Sequence, residues 1–175
     1  MLGAGSFGTA VATALARGGN PVTLLCRTPE QAEDINGRHE NPRFFPGHTL
    51  SPLVDATSDL DAVIGRDMLF LAFPSKVMDD YAGRIAREGR PDGTVVNLIK
   101  GLHPHHFTFA ELFRRTAPGL RYVALKGPTF SRPLFLGEWS GMTCGADDPA
   151  DGARVVSLFG NSALCLLYTS PSPRD

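Results

Sequence analysis

Three glycines near the start of the chain stand at the spacing Gly3, Gly5, Gly8, inside GAGSFGTA (residues 3–10). That spacing suits a main chain that must hold a diphosphate. The first glycine permits a sharp exit from a strand, the second lets the backbone come up to a pyrophosphate, and the third lets the next helix pack close to the strand. Amide N–H groups at the helix start, with the helix dipole behind them, attract phosphates without a basic side chain. Glycine spacing alone also fits a purely structural turn. Here a helical stripe, Phe7, Val11 and Leu15, follows directly, and an apolar run at residues 22–26 returns as a second strand, which is the context the motif requires. At the end of such a second strand an acidic residue accepts hydrogen bonds from the adenine ribose of NAD, whereas an arginine accommodates the 2′-phosphate of NADP. The residues there are Cys26, Arg27 and Thr28. The expected cofactor is therefore NAD(P)H, with NADPH favoured; the competing reading of Arg27 is an exposed arginine at a helix start.

The elements that would carry this turn are those of an α/β protein. Apolar, β-branched runs recur at residues 22–26, 68–73, 94–99 and 122–125, with a weaker one at 141–144. Between them lie segments of helical spacing: Phe7, Val11, Leu15; Val77, Tyr81, Ile85; Phe109, Leu112, Phe113; and Val155, Leu158, Phe159. Such alternation predicts βα units and a Rossmann-like, mainly parallel sheet with helices on both faces. Gly18 and Gly19 follow the first helix, Pro29 stands where a second could begin, and Pro149 opens the last. Residues 36–58, which include ENPRFFPG (residues 40–47), read as a long irregular loop, of the kind that is functional or mobile. Only Met1 and Leu2 precede the glycine turn, so the first strand is expected to be truncated, with its neighbours partly unpaired and apolar surface uncovered. The expected division is one dinucleotide-binding domain over residues 1–160, then a partial strand and disordered tail over 161–175. The end, LLYTSPSPRD, resembles translated sequencing-adapter sequence more than native protein.

Composition excludes several classes. At 42% hydrophobic and 20% charged residues the chain is an ordinary globular sequence, neither disordered nor collagen-like. The formal net charge is −1 with basic residues scattered throughout, which leaves no electrostatic footprint for nucleic acid or an anionic membrane. The three cysteines, Cys26, Cys144 and Cys165, form neither a CxxC pair nor an even-numbered framework, so a reducing cytoplasm is expected. No signal peptide or membrane-spanning apolar run is visible.

Five segments in order, GAGSFGTA, the VTLLCR strand end, ENPRFFPG, LIKGL (residues 98–102) and KGPTF (residues 126–130), resemble the NAD(P)-dependent sn-glycerol-3-phosphate dehydrogenases, over their N-terminal, nucleotide-binding half. The resemblance implies hydride transfer between NAD(P)H and dihydroxyacetone phosphate or sn-glycerol 3-phosphate, in phospholipid precursor supply. It implies cofactor contacts at Gly3, Gly5, Ser6, Phe7, Gly8 and Arg27, and at Lys100, which also meets substrate. Gly127 and Thr129 match substrate positions, and Ser131 stands where the family has a cofactor-contacting alanine. A lysine at the C-terminal end of a strand is a sensible type here, because a reducible carbonyl needs a cation near the developing oxygen charge. Thr129 could donate its hydroxyl to substrate or cap a helix, and Phe7 could cover the cofactor or belong to the core. The run Ser131-Arg132-Pro133 departs from the family, and Pro133 disfavours a helix extending beyond its first turn. The family's proton-transferring lysine and further substrate residues belong to a helical C-terminal domain expected to be absent here. The chain by itself is thus expected to hold no complete catalytic set and to be inactive. A homodimer of the full-length protein stays open.

Other groupings read as structural. The histidines His103, His105 and His106 lack metal-ligand spacing, and no metal site is expected. Asp59, Asp61, Asp147 and Asp148 suit helix entries. Cys26 reads as a small buried residue, and Trp139, beside a strand, is expected to pack. Two alternatives stand beside the leading reading: another two-domain hydroxy-acid or sugar-acid dehydrogenase, and a non-catalytic nucleotide-binding module.

Overall fold

The computed structural model describes residues 1–100 and 108–169 of the 175-residue chain. In chain order the elements are α1 (Ser6–Arg17), β1 (Val22–Leu25), α2 (Pro29–Arg38), β2 (Val54–Thr57), α3 (Asp61–Ile64), β3 (Met68–Leu71), α4 (Met78–Glu88), β4 (Thr94–Asn97), α5 (Phe109–Thr116), β5 (Arg121–Lys126), α6 (Ser131–Leu136), β6 (Ser140–Ala146), α7 (Pro149–Ser157) and β7 (Leu164–Thr169). β1 pairs with β2, and β3 through β7 pair in sequence order; every pairing is parallel except β5 with β6. Leu2, itself fully buried, joins the two sets by parallel bridges to Leu25 on one side and Leu71 on the other. The sheet thus runs β2, β1, Leu2, β3, β4, β5, β6, β7, with the chain reversing its direction of winding at Leu2. This is the expected mainly parallel α/β architecture.

Alternation along the strands splits the core between two faces. Phe70, Val96, Val123 and Leu125 pack with Val11, Leu15, Leu134 and Val155 of α1, α6 and α7. Leu69, Leu71 and Val95 pack with Ile64, Ile85 and Phe113 of α3, α4 and α5. Helix ends follow sequence punctuation. Thr28 caps α2 ahead of Pro29, Thr108 and Glu111 form a reciprocal cap on α5, and Asp148 caps α7 ahead of Pro149.

Two sequence expectations are corrected. The stretch 36–58 is not one irregular loop. Its start belongs to α2 and its end is the edge strand β2, whose burial alternates at Val54 and Ala56. The side chain of Asn36 both donates to and accepts from the backbone of Ala56, at 2.8 Å each, so an amide stands where a further strand would pair. Between them, Phe45 is buried and stacked on Phe135 with ring centres 3.8 Å apart, which ties the loop to α6. The other is Trp139, which is 87% exposed rather than packed. Past residue 160, where a partial strand is expected, β7 pairs with β6 over six positions. Residues 170–175 and the histidines at 103, 105 and 106 lie outside the described residues.

The first strand is short, as expected, yet it is fully engaged. The Leu2 N–H donates to the Phe70 carbonyl at 2.7 Å, the Ala72 N–H to the Leu2 carbonyl at 2.9 Å, and the Leu25 N–H to the Met1 carbonyl at 2.9 Å. Below Met1, between the starts of β1 and β3, lies a cavity of about 460 Å³ lined by Leu15, Val22, Thr23, Arg66, Leu69 and Phe70 among others. The Met1 α-amino group sits at its head, bonded to the Thr23 carbonyl at 2.9 Å.

Candidate functional site

The glycine turn is built by contact between backbones. Gly3 leaves the first strand at φ +117°, and a Cβ there would lie 2.5 Å from the Ala72 carbonyl oxygen. A Cβ on Gly8 would lie 2.0 Å from the Gly3 carbonyl oxygen. Both glycines are therefore demanded by packing: one by the strand exit and the neighbouring strand, the other by the close approach of α1. Gly5 differs, because nothing of the protein lies within 4 Å of the position its Cβ would take. It is the N-cap of α1 with no side chain bonded to the helix mouth, and no acidic residue stands in the first turn. The mouth is thus an open array of amide donors with positive dipole character, beside a space that a side chain at position 5 would enter. Those features fit a pyrophosphate.

Buried amides hold this turn from below. The carbonyl of Ala4 accepts from Gln31 Nε2 at 2.9 Å and from Asn41 Nδ2 at 3.1 Å, and Asn41 also donates to Thr9 Oγ1 at 2.9 Å. Asn41 is completely buried. The ENPRFFPG segment therefore underpins the glycine turn from a distance of more than thirty residues in sequence. At that same edge, a cleft of about 500 Å³ is lined by Arg27, Thr28, Asn41 and Arg43. Two arginines thus line this cleft, Arg27 from the turn between β1 and α2 and Arg43 from the loop after α2.

At the other end, a cavity of about 320 Å³ is bounded by Ser6, Phe7, Pro74, Lys100, Phe130 and Ser131. Lys100 lies at the end of the turn after β4. Its Nζ stands 5.3 Å from the ring centre of Phe7 and 5.8 Å from that of Phe130, and reaches the Thr129 carbonyl at 3.4 Å. Phe7 is half-buried: it packs on the core and also faces this lysine. Ser131 opens α6, which stops at Gly137 (φ +80°) after six residues. Arg17 donates to the carbonyls of Leu134 and Phe135, binding α6 to α1.

The two remaining candidates lie against β6, Thr129 buried and Gly127 exposed. The Thr129 hydroxyl donates to the Gly141 carbonyl at 2.6 Å, and the N-cap of α6 is Phe130, so Thr129 does not cap that helix. A Cβ on Gly127 would meet the Gly141 oxygen and the Met142 Cα at 2.9 Å. Glycine is required there by the approach of β6. The fold thus brings Ser6, Phe7, Lys100 and Ser131 to one cavity at the first turn of α1, beside the turn built by Gly3, Gly5 and Gly8, puts Arg27 in the neighbouring cleft at the start of α2, and sets Gly127 and Thr129 against β6. Arg43, Asn41 and Lys126 were not singled out by sequence. Burial lowers the Lys126 amine to about 8; the residue's surface is largely exposed, but its Nζ is folded in against the Ile99 carbonyl at 2.5 Å. Cys26 is buried, and its thiol is pushed up to about 11.

Strand order reversing at Leu2, with a glycine turn and an uncapped helix mouth at the reversal, defines a Rossmann-type α/β domain. Residues 1–151 match the family described as NAD-dependent glycerol-3-phosphate dehydrogenase N-terminus, and the chain belongs to that family. It is 35% identical over 167 residues to "Glycerol-3-phosphate dehydrogenase [NAD(P)+]" of Desulfovibrio desulfuricans, covering 94% of this chain and 50% of that one. The protein of the same name from Pseudomonas aeruginosa is 35% identical over 169 residues, 93% of this chain and 48% of the relative. The chain spans about half the length of the curated relatives it matches. In fold it resembles the glycerol-3-phosphate dehydrogenase of Coxiella burnetii, with TM-score 0.88 and 19% identity over 96% of this chain and 52% of the other. That of Saccharomyces cerevisiae gives TM-score 0.82 at 21% identity over 95% and 54%.

The glycines make opposite predictions. Gly8→Ala gains about 1 kcal/mol of helix propensity but drives a methyl into a backbone oxygen, and is expected to lower stability by about 2 kcal/mol or more. Gly5→Ala, at φ −76° with open space beside it, sets the smaller freedom of the unfolded chain against the poorer N-cap preference of alanine and is expected to change stability by less than about 0.5 kcal/mol. Urea unfolding of both variants decides this; equal losses would contradict the packing described.

Proposed function

We propose that this chain is the cofactor-binding part of an oxidoreductase that moves a hydride between NAD(P)H and dihydroxyacetone phosphate or sn-glycerol 3-phosphate. The observation that carries the reading is the meeting of two separate elements: Lys100, in the turn after β4, stands over Phe7 in the first turn of the helix whose uncapped mouth suits a diphosphate. A dinucleotide spanning the cleft would rest its pyrophosphate on the amides at Ser6 to Gly8, its adenosine end beside Arg27 and Arg43, and its nicotinamide toward Lys100 and Ser131. When bound, the nicotinamide supplies or accepts the hydride.

The chain's own residues bind and orient. The α1 mouth offers fixed N–H donors, which need no reorganisation when an anion arrives. Lys100, with its Nζ near the Phe7 ring and the exposed Phe130 ring, would place an ammonium to counter negative charge developing on a carbonyl oxygen. Gly127 and Thr129 keep the neighbouring turn close to β6.

NADPH is the preferred form in this reading, because Arg27 stands where the 2′-phosphate arrives and Arg43 faces it across the same cleft. A reducing cytoplasm suits Cys26, Cys144 and Cys165, which are all free thiols. The remaining length of the relatives is where proton delivery and the rest of the substrate contacts are placed.

Titration with NADPH and NADH tests the reading. The chain is expected to bind NADPH, and Arg27→Ala to weaken NADPH about tenfold or more while changing NADH less than about threefold; equal losses would remove the NADPH assignment. The chain alone is expected to give no turnover of dihydroxyacetone phosphate. Lys100-dependent turnover by these 175 residues would overturn the placing of proton delivery elsewhere.

A further inference from the structure

β4 ends its ladder early. The last backbone bond it makes to the sheet beyond Asn97 is from the Leu98 N–H to the Leu71 carbonyl at 3.1 Å. Ile99, the residue before Lys100, therefore lies past the strand pairing, and its two backbone groups need other partners. Both are taken by side chains. The Ile99 N–H donates to Asn97 Oδ1 at 2.9 Å, and the Ile99 carbonyl accepts from Lys126 Nζ at 2.5 Å. Asn97 is itself buried and donates from Nδ2 to the Tyr122 hydroxyl at 2.7 Å. Burial holds that phenol up at about 12, so it stays neutral.

The ties run both ways between the two turns. Lys126, ending β5, donates to the turn after β4; Lys100, ending that turn, donates to the Thr129 carbonyl in the turn after β5. Thr129 is in turn anchored to Gly141 of β6. A lysine on a turn has four flexible carbons and about 2 kcal/mol of rotamer entropy. Its amine reaches one place reproducibly only if the peptide that carries it is held.

We propose that Lys126 is a positioning residue for Lys100: by fixing the Ile99 carbonyl, opposite the Asn97 clamp on the Ile99 N–H, it aims the Lys100 amine between Phe7 and Phe130. Lys126 touches neither a cofactor nor a reacting atom in this role. The inference rests on the proposed function only for why Lys100 matters; the geometric claim stands by itself.

The chain contains three lysines, Lys76, Lys100 and Lys126, so a proton–carbon correlation spectrum resolves three ε-methylene signals that single substitutions assign. Lying over two aromatic faces, the Lys100 signal is expected upfield of that of Lys76 through ring currents. In Lys126→Met it is expected to move to the Lys76 position. In Lys126→Arg and Lys126→Gln, which keep an N–H donor, it is expected to stay upfield. Should Met at 126 unfold the chain, Lys126→Ser, too short to reach Ile99, takes its place. An upfield Lys100 signal that persists in the Met or Ser variant overturns the proposal, as does its absence from the wild-type chain.

A second measurement reads the same coupling through NADPH. Lys126→Met is expected to weaken binding about fivefold, the worth of one hydrogen bond, and to have no effect in a Lys100→Ala background. Additive losses overturn the proposal. If no dinucleotide binds while the Lys100 signal still answers to position 126, the proposed function fails and the positioning role stands.

Discussion

Two backbones in direct touch govern this structure. The first turn of α1 lies so close to the exit of the first strand that a single methyl on Gly8 would penetrate the Gly3 carbonyl, and Gly3 itself lies against Ala72. Interiors packed at crystal-like density do not yield to such an intrusion. Leu2 can bridge β1 and β3 because the chain turns away at once and leaves no bulk behind. The uncapped mouth of α1 is then delivered to the C-terminal edge of the sheet, at the point where the winding reverses.

Everything else in the cleft is arranged around that edge. Parallel strands send their following turns to the same side, so the turns after β1, β3, β4 and β5 converge without any contact in sequence. What fixes them individually is a set of polar clamps. Ala4 is held by Gln31 and Asn41, Ile99 by Asn97 and Lys126, and the Thr129 turn by Gly141. The clamps on Ala4 and Ile99 satisfy backbone groups that lie beyond the end of a strand, where the ladder no longer supplies a partner, and the Thr129 hydroxyl ties its turn to a carbonyl within β6. The supporting polar groups are therefore structural and site-forming at once.

Sequence reading was strong where a local pattern carried the physics. Gly3, Gly5 and Gly8, the α1 stripe, and the starts of α2 and α7 at proline were legible because each is a short-range rule of packing or capping. The edge strand β2 was not. It has four residues of which only Val54 and Ala56 point inward, and it is preceded by Pro52 and a turn, so it carries too little alternation to separate from loop. Lys100, Gly127, Thr129 and Ser131 came from family resemblance, since a lysine or a threonine in a turn announces nothing by itself. The structure gives Thr129 a bond to Gly141 that neither a substrate role nor a capping role had suggested. Trp139 was expected to pack and instead lies open.

The amino-acid sequence by itself determined the glycine turn, the α/β alternation, and the arginine beside the outer end of the cleft. These depend on conformational freedom, periodicity and charge within a few residues of one another. Only the tertiary structure decided that Asn41 would sit beneath Ala4, that Arg43 would face Arg27, and that Lys126 would reach the peptide ahead of Lys100. Each of those meetings joins segments set apart by the packing of strands and by one aromatic stack, Phe45 on Phe135. Their energy lies in desolvated hydrogen bonds whose partners exist only once the sheet has closed around them.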